Sequence, residues 1–171
     1  MINYNITNNY DTHGAGIFLR RGMDEYVDGS TVWVNGEPAN LTVINSNISN
    51  NVTQGAVSGA PGVSNNPTGN GGGFYIVNGT ANILKSTING NTGGAFRIKS
   101  GDVTVENCTI ANNLQGITYN TSFNDYQADD TGGFYITPSH YIMTLGASNV
   151  KITNCTILNN HAFLVALMFR L

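Results

Sequence analysis

The sequence predicts an all-β solenoid of about five coils, each of about 22 residues, and three observations predict it. One phrase is written twice with nothing inserted: Leu84-Lys85-Ser86-Thr87-Ile88-Asn89-Gly90-Asn91 is followed by Val103-Thr104-Val105-Glu106-Asn107-Cys108-Thr109-Ile110-Ala111-Asn112-Asn113, so that Ile88 and Ile110 stand 22 positions apart. The segments before each isoleucine alternate apolar and polar residues, which is the period of a half-buried strand. Gly-rich words precede a second alternating segment, and glycine permits the tight corner that would start it. A fixed period in the twenties marks a repeat that cannot bury its apolar face alone and must stack on its neighbours.

The first half of the phrase occurs at five anchors, each an Ile with an Asn three positions later: Ile6 and Asn9, Ile48 and Asn51, Ile88 and Asn91, Ile110 and Asn113, Ile157 and Asn160. Stacked one above another, Asn9, Asn51, Asn91, Asn113 and Asn160 are expected to form a ladder in which each amide donor faces the next amide acceptor. Leu41-Thr42-Val43, Val103-Thr104-Val105 and Val150-Lys151-Ile152 read as the short strands upstream.

The second half recurs at Gly14 to Leu19, Gly71 to Ile76, Gly93 to Ile98 and Thr131 to Ile136, with a degraded copy expected at Phe169-Arg170-Leu171. Period two turns Ile17, Phe74, Phe96 and Phe134 inward and Phe18, Tyr75, Arg97 and Tyr135 outward.

The chain therefore reads as a single domain over residues 1–171, with insertions at 20–40, 52–70, 114–130 and 137–149. The first of these carries a strand of its own at Thr31-Val32-Trp33-Val34. Confining insertions to two corners leaves the stacked strands intact. The chain opens inside a repeat at Ile2 and stops inside a strand without a polar cap, so a longer solenoid, neighbouring coils or other subunits are expected at its ends.

Composition narrows the function. Charged residues make up 10% and apolar residues 40%, a combination that folds and does not stay disordered. A net charge of -3 with seven Lys plus Arg leaves no basic stripe for nucleic acid. No run approaches the ~18 apolar residues of a membrane span, and Met1 to Asn5 lack the basic and apolar regions of a secretory signal. His13, His140 and His161 have no metal-ligand spacing, so no metal is expected. Cys108 and Cys155 fall at equivalent repeat positions and read as small buried residues in one stack, in preference to a disulfide.

The Gly-Gly-Ala-Phe word at Gly93 to Phe96 and the Ile-x-x-Asn anchors resemble the GGA and FxxN repeats of polymorphic outer membrane proteins, and more broadly the right-handed parallel β-helix proteins of the pectin-lyase-like kind. That resemblance implies a right-handed parallel β-helix in an extracellular or cell-surface location. It does not by itself imply an activity, because the fold serves lyases, hydrolases, adhesins and spikes alike.

Two functional readings follow. In the first, the chain is a non-enzymatic structural spacer or adhesin-like module, and the outward row Phe18, Tyr75, Arg97 and Tyr135 binds a glycan or a protein without a cofactor. The rival is a polysaccharide lyase or glycoside hydrolase acting on an acidic polysaccharide in a groove over the third coil. There Arg97 and Lys99, in a word resembling the Arg-Ile-Lys of polygalacturonases, would face Asp125, Asp129 and Asp130, and a lyase would add Ca²⁺. The order of the words, with Thr12-His13-Gly14 first, then Arg97, then the acids, differs from that family and counts against the rival.

Overall fold

The computed structural model describes residues 1–11, 14–20, 24–27, 30–33, 39–53, 71–114, 117–120, 125–128, 132–137, 147–161 and 167–169, with the backbone alone at 24–27, 30–33, 117–120, 125–128 and 167–169. Its described residues contain strands and turns and no helix. Three parallel sheets carry the architecture. The first orders Asn5–Thr7, Asn47–Ser49, Thr87–Asn89, Thr109–Ala111 and Thr156–Leu158; the second orders Ala39–Ile44, Gly79–Leu84, Asp102–Glu106 and Asn149–Thr153. The third orders Ile17–Arg20, Phe74–Val77, Phe96–Lys99, Phe134–Thr137 and Leu167–Phe169. Within each sheet the strands follow chain order, and the chain visits the sheets in rotation, which supplies the long connection that parallel pairing needs.

The register is that of the repeat. Ile6, Ile48, Ile88, Ile110 and Ile157 are paired successively, as are Ile17, Phe74, Phe96 and Phe134. One buried cluster draws on all three sheets: Ile48, Ile88 and Ile110 from the first, Val43, Ile83 and Val105 from the second, and Phe74, Phe96 and Phe134 from the third. The three phenylalanine rings stack with centroids 4.9 and 4.6 Å apart and planes within 3°. This arrangement is consistent with a parallel β-solenoid.

The asparagine ladder is present. The Oδ1 atoms of Asn51, Asn91, Asn113 and Asn160 each accept two bonds from the asparagine one rung earlier, from its backbone N–H and its Nδ2, at 2.8–3.1 Å. The second Nδ2 proton of the same four residues reaches back to the carbonyl of Ile6, Ile48, Ile88 or Ile110 at 2.9–3.0 Å. Asn51, Asn91 and Asn113 are 0% exposed, and every donor and acceptor of their amides is used, which is the condition for burying a polar side chain without penalty.

A second ladder runs one turn earlier. Backbone N–H groups of Tyr4, Ser46, Ser86 and Cys108 donate to Ser46 Oγ, Ser86 Oγ, Cys108 Sγ and Cys155 Sγ, at 3.1 Å to oxygen and 3.4 Å to sulfur. Each of those acceptors donates in turn to the carbonyl two residues back. The cysteines are free thiols in one stack. They are not simply small apolar residues, since each sulfur takes the hydrogen-bonding place of a serine hydroxyl.

The corners explain the remaining asparagines. Asn3, Asn45, Lys85, Asn107 and Asn154, at equivalent positions, all have φ of 49–60°, and Asn8, Asn50, Gly90, Asn112 and Asn159 form a second such column at 51–64°. Left-handed backbone is disfavoured for L-residues, and Asn and Gly tolerate it best. Gly93, at φ +97°, adds a steric demand, because a Cβ there would run into Thr53 Oγ1.

Several expectations are refined. Within 20–40 and 114–130 the chain forms antiparallel hairpins, Asp24–Val27 with Ser30–Trp33 and Ile117–Asn120 with Asp125–Ala128. Val52 and Thr53 pair with Tyr10 and Asp11, and Val52 also bridges to Thr92. The last copy of the Phe strand is Leu167–Phe169, with Leu167 opposite Phe134, and not residues 169–171. A slip of two residues keeps the same faces inward, so alternation alone does not distinguish the two registers.

Asn91→Ala removes bonds on both sides of the central rung and should cost about 2 kcal/mol or more, against a smaller loss for Asn9→Ala at the exposed end; chemical denaturation of both variants checks the order. At Cys108, desolvation by burial comes first among the influences that raise the thiol above its ordinary pKa. The fold therefore favours the neutral thiol, a preference that holds at neutral pH and is lost as pH rises through the raised value. Iodoacetamide at neutral pH should label Cys108 far more slowly in the native than in the unfolded protein, and equal rates would exclude the buried row.

Candidate functional site

The outer face of the third sheet brings the predicted row together. Phe18, Tyr75, Arg97 and Tyr135 are paired in register on successive strands, followed by Met168. Their side chains alternate with the inward phenylalanines, as the period requires. Phe18 and Tyr75 stack at 5.0 Å with planes 11° apart. The Arg97 guanidinium carbon lies 5.9 Å from the Tyr75 ring centre and 4.9 Å from that of Tyr135, and Lys99 Nζ lies 5.8 Å from Tyr75.

The row is not the open strip that alternation suggests. Tyr75 is 8% and Arg97 6% exposed, Tyr135 is half-buried, and only Phe18, at 48%, offers most of one ring face to solvent. Period two reports which side of a sheet a residue occupies, but it carries no information on what lies over that side. A guanidinium held between two rings in a desolvated setting is a packing element worth up to about 2 kcal/mol.

Of the remaining candidates, His161 alone has a described side chain. Asp125 lies on the hairpin strand Asp125–Ala128, where the backbone alone is described, and Asp129 and Asp130 lie outside the described residues, as do His13 and His140. His161 is exposed, with Nδ1 2.8 Å from the Asn159 carbonyl, which suits a turn residue. Among the described residues no group of three or more His, Cys, Asp or Glu could hold a metal ion. No helix of the described residues is long and apolar enough to cross a membrane.

A concave surface that the sequence reading passed over lies elsewhere, at the corner between the second and first sheets. An open cleft of about 410 Å³ is lined there by Tyr4, Asn5, Asn45, Asn47, Lys85 and Thr87, among others. It crosses successive rungs at the first left-handed column. The signal that could have found it was available: Tyr4 and Lys85 are the residues at which two repeat columns change type.

No family model, curated protein or solved structure matches the chain.

Arg97→Ala should lower stability by about 1–2 kcal/mol through lost ring contacts, whereas Phe18→Ala, which loses one stack at a half-exposed position, should cost less, about 0.5–1 kcal/mol. Thermal melts of the two variants measure the difference, and equal melting temperatures would show that Arg97 does not pack as a structural residue.

Proposed function

We propose that the chain is a non-enzymatic module of a right-handed parallel β-helix, about five coils long, that works at a cell surface or outside the cell. It acts there as a stiff spacer and presents a binding surface for a glycan or a protein, without a cofactor. The observation that supports the stiff-scaffold part of this reading is the ladder of four successive Asn–Asn bonds, buried at Asn51, Asn91 and Asn113. Polar groups spent wholly on one another rigidify a scaffold and are not available for chemistry. The stacked Phe74, Phe96 and Phe134 and the packed Arg97 extend the same pattern to the third sheet.

Low charge and a composition rich in amides and hydroxyls favour hydrogen-bonding partners such as glycans over nucleic acids. Phe18, exposed and stacked on Tyr75, provides an apolar contact of the kind that either partner would use.

Incubation with polyuronides, with and without Ca²⁺, should release neither unsaturated ends absorbing in the ultraviolet nor new reducing ends, while a glycan array should retain the protein. Either kind of new end would replace this reading with a lyase or a hydrolase.

A further inference from the structure

The repeat sets an expectation for its columns, and a departure from it at Lys85 shares one place with the exposed ring of Tyr4 on the first rung. The inward column that hydrogen-bonds the chain reads Tyr4, Ser46, Ser86, Cys108, Cys155. Four members are small, and the fifth is an aromatic residue 54% exposed. The left-handed column reads Asn3, Asn45, Lys85, Asn107, Asn154, so a lysine at φ 49° stands where every other rung has asparagine. A long side chain in that backbone region is a local strain that the surroundings must hold in place. Tyr4 and Lys85 line the same cleft.

Around them the cleft is neutral and rich in hydrogen-bonding groups. Asn5, Asn47 and Thr87 occupy one outward column at successive rungs, and this column is threonine from Thr87 onward, at Thr109 and Thr156. Asn45 Nδ2 donates to Asn3 Oδ1 at 2.8 Å, fixing the upper wall. Among the described residues no hydrogen bond or ion pair engages the Lys85 ammonium, which is exposed. The volume of about 410 Å³ lies within the ~300–1,000 Å³ of small-ligand sites.

We propose that this corner cleft binds a saccharide carrying one carboxylate, with the Tyr4 ring against a sugar face, the Asn5 and Asn47 amides on hydroxyls, and Lys85 on the carboxylate. Each element follows from chemistry. An exposed ring offers an apolar face to the C–H side of a pyranose. Amides, which donate and accept at adjacent atoms, match hydroxyls, which do the same. A single ammonium in an otherwise neutral lining, with the Glu106 carboxylate of the next rung accepting from Asn107 Nδ2 at 3.3 Å, suits one negative charge, whereas a phosphate group would call for a guanidinium fork or several cations. The site rests on the glycan-binding reading proposed above and assigns it to a surface away from the Phe18 row.

The test titrates the whole chain by calorimetry with sialyl-terminated and uronyl-terminated oligosaccharides and with their neutral counterparts. The carboxylated form of at least one class should bind about tenfold more tightly than its neutral counterpart, and the arm that binds identifies the source of the carboxylate. Lys85→Asn restores the residue of the other rungs, so its melting temperature should be unchanged or higher while the preference for carboxylate disappears. Tyr4→Ser, which puts at the first rung the residue of the next two, should weaken charged and neutral ligands together. Retention of the carboxylate preference in Lys85→Asn overturns the proposal. Glycan binding that is lost in Phe18→Ala and kept in Lys85→Asn and Tyr4→Ser overturns this site but leaves the glycan-binding reading standing. Failure of the unaltered protein to bind any glycan removes both.

Discussion

The bond from one buried asparagine amide to the next is the constraint on which the rest depends. A primary amide has two donors and two acceptor lone pairs, and in Asn51, Asn91 and Asn113 all of them are used, half along the ladder and half on backbone groups. Complete satisfaction makes the register nearly unique. A slip of one residue would turn the asparagine outward and leave backbone N–H groups of the turn without acceptors, at about 1–3 kcal/mol for each buried group. The apolar stacks of Ile48, Ile88 and Ile110 on one side and Phe74, Phe96 and Phe134 on another then need no separate mechanism to align. They are carried into register by the rungs.

The same constraint accounts for the composition. Residues that sit at the corners must be polar enough to satisfy the turning backbone and neutral enough to be buried, because an unpaired charge in the interior costs far more than an amide. Asparagine meets both demands and also tolerates left-handed backbone, so it fills two kinds of place: inside as Asn51, Asn91 and Asn113, and outside as Asn45, Asn50, Asn107 and Asn112. Serine and cysteine share a third role in the inward column, where the geometry asks only for a small acceptor on Cβ. A charged content of 10% is the result of these local requirements repeated along the chain.

How much of this could be read from residues alone depended on whether a role demands one residue type. The ladder column was legible because only asparagine performs it, and the Phe column because its period and size are distinctive. The inward small column was half legible: Cys108 and Cys155 stood out, while Ser46 and Ser86 were hidden by chemical kinship that a search for identical letters misses. The register of Leu167–Phe169 was ambiguous because alternation repeats every two residues. The burial of Tyr75 and Arg97 was not legible at all, since strand periodicity separates two faces and leaves open which of them meets solvent.

Repeats paired strand on strand make function visible in an unusual way. In an ordinary domain each position has its own environment, and an odd residue has no reference against which to be odd. Here the column supplies the reference. Ser46, Ser86, Cys108 and Cys155 each accept the N–H of the rung before, and Asn3, Asn45, Asn107 and Asn154 state what the backbone needs at Lys85. A residue that satisfies its column is accounted for by the scaffold. Lys85 departs from its column and gives up local stability there, and it shares its cleft with the exposed Tyr4 ring, which the proposed ligand would contact as well. Arg97 fails that criterion, because the rings of Tyr75 and Tyr135 already explain its place.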